Sequence, residues 1–297
     1  MSKRKTLLGI MRAPFLILQP ANVLLGLGTA IWAIGQVKPF HFILALAGAI
    51  FANISVNVFN EYLDFKSGLD ARTRRTPFSG GSGTLPAEPE MAGFALTVGW
   101  ITFAITALIG VYFLTVWGLA LLPLGILGLL IVLTYTKWVT RRPFLCLITP
   151  GLGCGVVVVM GTHFVLTGQY DWTAFIAALV PTFLVSNLLL LNQFPDVEAD
   201  SSVGRKHYPI TIGKRKSGWI YIAFLILAYA AIIYGVVAEY FPPASLLGLL
   251  TLVLGVQIIR RVLLHNEDIE KLIPALGMNV IVTVLTPVLI AVGLFIG

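Results

Sequence analysis

The sequence predicts an all-α membrane protein, a bundle of nine transmembrane helices around a central cavity open to the cytoplasmic side. Three observations carry this. The 297 residues are 58% hydrophobic and 11% charged, with a mean hydropathy of +0.92, which is the profile of a polytopic membrane chain. Nine apolar runs are long enough, or nearly so, to cross a bilayer. Basic residues gather on one side of the resulting map.

The runs cover about 14–36, 40–62, 91–115, 118–136, 147–168, 173–194, 218–238, 244–264 and 273–296. They are continuous rather than alternating, which argues against a transmembrane barrel. Lys3, Arg4, Lys5 and Arg12 precede the first run as they would in a signal peptide. Eight more runs follow, so the first is read as a membrane helix. With the N-terminus inside, alternate loops hold 19 of the 20 Lys and Arg residues, and only Lys38 falls outside. This places the N-terminus in the cytoplasm and the C-terminus outside, in a cytoplasmic (inner) membrane. The net charge of +7 is then mostly topology. It needs no nucleic acid, and part of it suits anionic membrane lipid. Cys146 and Cys154 make no metal spacing and are expected to be free thiols without a role. The four histidines are scattered. No soluble segment interrupts the chain, so 1–297 reads as one domain.

The external loops are short, and the long ones, about 64–90 and 195–217, are cytoplasmic. Each long loop opens with an acidic cluster. The first is Asn60-Glu61-Tyr62-Leu63-Asp64, then Asp70. The second is Asn192-Gln193-Phe194-Pro195-Asp196, then Asp200. Both have Asn four residues before Asp at a span end, so the second and sixth spans read as weak repeats of a four-helix unit. Asn53, Asn57, Asn60 and Asp64 fall within about 60° of one helix face. Such a polar stripe belongs in the bundle interior. Interhelical hydrogen bonding accounts equally well for Asn53 and Asn57. For Asn60 and Asp64 the recurrence at Asn192 and Asp196 favours function.

Carboxylates next to hydrocarbon are costly and mark functional sites. Hard oxygen donors in two clusters suit Mg²⁺, which binds one or two carboxylates plus substrate phosphates. Two facing clusters imply metal-bound polyanion, and diphosphate is the natural candidate. The candidate metal ligands are Asp64, Asp70, Asp196 and Asp200, with Asp64 and Asp196 the candidate catalytic pair. Arg12, Arg72, Lys137, Arg141, Arg205 and Lys206 lie near the same face and could meet phosphate, or simply anchor the inner interface. Glu61 and Glu198 are expected to be solvated or to lie behind the ligands. Ser79-Gly80-Gly81-Ser82-Gly83 could cradle phosphate or form a lid over the opening. It lacks the Lys-Ser/Thr ending of a P-loop. Tyr135 is a candidate cavity residue, as is Asn57.

These residues match a family. The chain resembles the UbiA superfamily of intramembrane prenyltransferases over essentially its whole length. Asn60, Asp64 and Asp70 look like its first Asp-rich motif, and Asp196 with Asp200 like its second. The run Asn60 to Asp70, with Tyr62 and Gly68, is most similar to the 1,4-dihydroxy-2-naphthoate polyprenyltransferases of menaquinone biosynthesis, as is Arg12-Ala13-Pro14. Phe78–Gly83 and Gln193–Pro195 depart from the usual pattern. The resemblance implies Mg²⁺-dependent transfer of a polyprenyl group from a polyprenyl diphosphate to an aromatic acceptor. The alternative acceptors are 4-hydroxybenzoate, homogentisate, a chlorophyll precursor, haem or a glycerol ether lipid. A secondary transporter is the rival of another class. It would place its sites near the midplane on inverted repeats, whereas both clusters here lie at one face.

Overall fold

The computed structural model describes residues 3–297. The side chains of Lys3 and Arg4, part of the basic N-terminal cluster, lie outside what is described. Every regular element among the described residues is helical. In chain order these are α1 (Lys3–Ile10), α2 (Leu18–Ile34), α3 (Pro39–Ser67), α4 (Thr84–Ala87), α5 (Ala92–Trp117), α6 (Leu122–Thr134) and α7 (Pro143–Leu152). Then come α8 (Gly161–Thr167), α9 (Trp172–Asn192), α10 (Val197–Ser202), α11 (Tyr208–Thr211), α12 (Lys214–Val237), α13 (Leu252–His265) and α14 (Ile269–Ile296).

Eight continuous helical runs are long and apolar enough to cross a membrane, where the sequence predicts nine. The difference lies at the predicted third and fourth spans, which form one run, Pro89–Thr134. Its helical hydrogen bonding passes through a 3₁₀ turn, Gly118–Leu121, so no loop separates α5 from α6. The chain nonetheless reverses there. Ser55 on α3 donates to the Gly99 carbonyl, and further out His41 stacks on Phe113. Beyond the turn, Thr136 is back beside Asn60. Gly118, at φ 73° and ψ −168°, takes a conformation that is costly for a residue with a Cβ.

α9 forms the centre, with 78% of its apolar window buried. Leu184, Leu190, Leu191 and Phe194 lie in the main core with Tyr221 of α12 and Leu276 and Ile290 of α14. Asp171 starts α9 by accepting from the Thr173 amide at 2.6 Å, an ordinary N-cap. α7 meets α9 closely, since a Cβ on Gly151 would sit 1.9 Å from the Thr182 carbonyl oxygen. Pro150 interrupts α7, and a π-helical stretch, Gly153–Met160, follows it. A missing N–H and a local π turn are linked ways of re-registering a helix. Here they set the wall of the cavity described next.

Candidate active site

α3 carries the first cluster. Asn53, Asn57, Asn60 and Asp64 all line one cavity, as their spacing predicts. Asn57 Nδ2 donates to the Met11 carbonyl at 3.1 Å and to Asn53 Oδ1 at 2.8 Å. Asn60 Nδ2 donates to Thr136 Oγ1 at 3.2 Å. The helix stops because Gly68 turns left-handed at φ 74°, and the Leu69 amide closes back onto the Asp64 carbonyl at 3.0 Å. This C-cap swings Asp70 beneath the same opening, where it is 5% exposed.

α9 carries the second. It ends at Asn192, and a turn through Pro195 leads into α10, which places Asp200. The chain then doubles back, with the Arg205 amide bonded to the Asp200 carbonyl at 3.1 Å. Arg205 joins the clusters: its Nη2 is paired with Asp64 and its Nη1 with Asp200 Oδ1 at 2.9 Å. His207 Nε2 meets Asp200 Oδ2 at 3.0 Å.

The six predicted phosphate cations separate into two groups. Arg12 and Arg205 line the cavity. Arg72, Lys137, Arg141 and Lys206 are exposed and stand outside its lining. Arg72 instead donates to Ser202 Oγ at 3.2 Å, across the two long loops, and the Lys206 amide bonds the Thr140 carbonyl. Long flexible cations at a bilayer face find water more cheaply than a narrow cavity. Asn192 and Tyr135 line the cavity, and Glu198 is exposed.

Glu61 takes the second of its two expected places, behind the ligands and not in solvent. It is fully buried and accepts from Arg12 Nε at 2.6 Å, from the Ser82 amide at 2.9 Å and from Ser82 Oγ at 2.7 Å. The Gly-rich segment therefore lies pinned over the opening, with Ser79, Gly80 and Gly81 lining it. A Cβ on Gly81 would come 2.8 Å from Asp70 Oδ1, and its φ of +72° already excludes most side chains. His207 and Gln193 also line the site, and sequence reasoning missed both. The signal for His207 was its place seven residues after Asp200, within the same long loop. Cys146 and Cys154 are free, and both face the cavity. Gln193 Nε2 bonds the first thiol at 3.2 Å and Gln19 Nε2 the second at 3.4 Å.

Electrostatics at the mouth are set by burial and crowding. Burial, with Glu61 and Asp64 close by, lifts the Asp70 carboxyl to about 7. Burial and then Asp200 lift Asp196 to about 7, partly opposed by the Ser79 hydroxyl. For Arg205, burial pulls the pKa down, but Asp64 and Asp200 outweigh it and raise the net value. For Arg12, burial likewise lowers the pKa, and Glu61, Asp64 and Asp70 together raise the net value. Three buried oxygens at the mouth have no hydrogen-bond partner: Asp70 Oδ2, Asp196 Oδ1 and Asn192 Oδ1.

These oxygens, with Asp64 and Asp200, are a hard donor set of the kind Mg²⁺ takes. Among the described residues no three acidic, His or Cys side chains already form a closed metal cage, because Arg205 stands between Asp64 and Asp200. The residues fit a cation whose coordination is completed by a phosphate ligand and water.

Below the mouth the cavity, about 570 Å³, is walled by apolar side chains including Val56, Ile131, Val157 and Leu188. Val111 of α5 and Ile126 of α6 also line it and are 54% and 47% exposed.

A model of the UbiA prenyltransferase family matches residues 21–295. The chain belongs to that family. It is a prenyltransferase, and the transporter alternative is set aside. It is 26% identical over 279 residues to the 1,4-dihydroxy-2-naphthoate octaprenyltransferase of Bacillus subtilis, covering 92% of this chain and 87% of that one. A Haemophilus influenzae protein of the same name is 26% identical over 283 residues, covering 93% and 91%. Among solved structures, a UbiA homologue from Aeropyrum pernix superposes with a TM-score of 0.72 at 18% identity, covering 95% and 98%. One from Archaeoglobus fulgidus, bound to DMAPP and Mg²⁺, superposes with a TM-score of 0.62 at 16% identity, covering 97% and 99%. The solved structures establish a common fold.

Proposed function

We propose that the enzyme transfers a polyprenyl group from its diphosphate to 1,4-dihydroxy-2-naphthoate, with Mg²⁺ as cofactor. The observation that carries this reading is the mouth of the cavity. Buried, unpartnered carboxylate oxygens and two arginines stand there directly above apolar walls. A diphosphate suits the polar mouth and a prenyl chain suits the walls.

Arg12 and Arg205 face the diphosphate oxygens. As the C1–O bond of the allylic donor breaks, its electron pair leaves with the diphosphate, and fixed guanidinium groups meet that charge. Mg²⁺ held by Asp64, Asp70, Asp196 and Asp200, with Asn60 and Asn192 alongside, supplies further neutralisation of the leaving group. The apolar walls keep water from the allylic cation. An electron-rich ring carbon then attacks C1 to form the C–C bond, and the ring regains aromaticity by releasing either a proton to water at the mouth or, where that carbon bears the ionised carboxylate, CO2. The remaining isoprene units extend along the cavity past Val111 of α5 and Ile126 of α6 toward lipid. The basic asymmetry orients the mouth toward the cytoplasm of the inner membrane.

The naphthoate acceptor rests on the run Asn60 to Asp70 and on the two octaprenyltransferases similar to this chain. The A. fulgidus homologue bound to DMAPP and Mg²⁺ supports the donor and the metal. Competition between 1,4-dihydroxy-2-naphthoate and 4-hydroxybenzoate for one labelled prenyl diphosphate tests the acceptor. A naphthoate product is expected to dominate. A product built mainly on 4-hydroxybenzoate, or on neither acid, refutes the assignment and reopens homogentisate, chlorophyll precursors, haem and ether lipids.

A further inference from the structure

Glu61 follows Asn60 in the first acidic cluster and is the one carboxylate there whose two oxygens are both already engaged. Oε1 accepts from Arg12 Nε and from the Ser82 amide, and Oε2 accepts from Ser82 Oγ. With no exposure at all and three donors in place, it is a satisfied buried anion rather than a vacant ligand.

Its partners come from two distant parts of the chain. Arg12 is 49 residues before it and Ser82 is 21 after. Arg12 spends Nε on Glu61, and no protein partner is seen for its two Nη nitrogens among the described residues. A carboxylate on one edge of a guanidinium fixes the plane of the whole fork, so Glu61 determines where those free nitrogens point. Arg12 lines the cavity, so they point into the site.

The backbone gives a second, independent sign. Arg12 is left-handed at φ 50° and ψ 51°, which is unfavourable for a side chain other than glycine. Such strain persists only where neighbours over-determine the conformation. The ion pair with Glu61 supplies that restraint. On the other side, Ser82 anchors the segment that sets Gly81 against Asp70 and brings Ser79 to the mouth. Thr84, bonded through Ser82 Oγ at 2.9 Å, continues the anchor into α4.

We propose that Glu61 is a positioning residue, a latch that fixes the Arg12 fork and the Ser79–Gly83 strap over the diphosphate site without touching substrate or metal. It acts through Arg12 on donor binding and through Ser82 on strap closure.

Full-length protein in nanodiscs tests this with two readouts. Trypsin cuts after Arg74 and Arg75, both exposed at the base of the strap. Glu61→Gln keeps the shape and removes the charge. It is expected to raise the cleavage rate about tenfold, the loss of roughly one charge-assisted hydrogen bond. The KM for prenyl diphosphate is expected to rise about tenfold while kcat stays within about threefold, as for lost binding rather than lost chemistry. Ser82→Ala keeps the Arg12 contact, so cleavage should rise while KM rises less than in Glu61→Gln. Wild-type cleavage and wild-type KM in Glu61→Gln overturn the latch. So does a fall in kcat of about a hundredfold with cleavage unchanged, which makes Glu61 part of the reacting site. If Glu61→Gln is not recovered folded, unchanged cleavage in Ser82→Ala overturns it alone. The KM arm rests on prenyl diphosphate as donor. The cleavage arm is independent of both substrates, so the two readings fail separately.

Discussion

Removing Arg205 should separate structural charge pairing from substrate binding. Its guanidinium, with a side chain 16% exposed, is shared by Asp64 and Asp200, whose side chains are 7% and 6% exposed. Arg205→Ala leaves two buried carboxylates facing each other with no cation between them. Breaking a buried pair in this way costs about 3–5 kcal/mol. Two carboxylates lose their partner here, but His207 still holds Asp200 and the site is near water, so about 3 kcal/mol is the better figure. At roughly 2 °C per kcal/mol for a chain of this size, the unfolding midpoint in chelator should fall by about 6 °C. Excess Mg²⁺ should restore much of that loss, since a divalent ion can take the vacated place between the carboxylates. Activity should stay low even then, because the diphosphate has lost a cation. The assay is thermal unfolding of the purified protein with chelator and with Mg²⁺, beside prenyl transfer. A chelated variant as stable as wild type, or one that Mg²⁺ does not rescue, refutes the reasoning.

Three further outcomes are expected. Asp64→Ala or Asp196→Ala should lower turnover about a thousandfold while the protein still elutes as a folded species. Near-normal turnover, or full activity in excess chelator, contradicts the site. Asp70 and Asp196 have folded-state pKa values raised to about 7 from the ordinary 3.8. Their protonated forms are favoured by the fold, so stability in chelator should be highest below pH 4 from this source and decline as pH rises toward 7. Asp70→Asn with Asp196→Asn should flatten that slope, and an unchanged slope removes these groups as its cause. Gln169→Cys should react with an impermeant thiol reagent from outside the cell, and Ser201→Cys only from inside. The reverse pattern overturns the orientation.

The helix ends and the acidic clusters were legible because they depend on local rules. Apolar length gives the spans, Gly68 gives the stop after Asp64, and a four-residue spacing gives the polar face of α3. What joins distant segments was not legible. Six cations looked equivalent, and only the folded chain separates Arg12 and Arg205 from Arg72, Lys137, Arg141 and Lys206. Glu61 lies a helical step off the Asn60 face, so periodicity left it either in water or behind the ligands. A cation from near the N-terminus makes its burial tolerable, and no local pattern encodes that. Gly118 reads as a loop between two spans, and the chain does reverse there, but through a 3₁₀ turn, Gly118–Leu121, that joins α5 and α6 into one helical run. The π-helical stretch at 153–160 has no apolar signature distinct from an ordinary helix.

The α5–α6 hairpin has a mechanical consequence. Only 17% of its apolar window is buried within the protein, against 78% for α9, yet Val111 and Ile126 of the hairpin line the cavity. The rest of its packing surface is supplied by acyl chains. The proposed path of the prenyl tail past this hairpin is thus bounded partly by lipid and not by the enzyme alone. Bilayer thickness and lateral pressure act directly on its width, and replacing lipid with detergent changes the boundary of the catalytic chamber itself. Acyl-chain length in the host membrane becomes a variable of the reaction, in the way that pH or metal concentration is for a soluble enzyme.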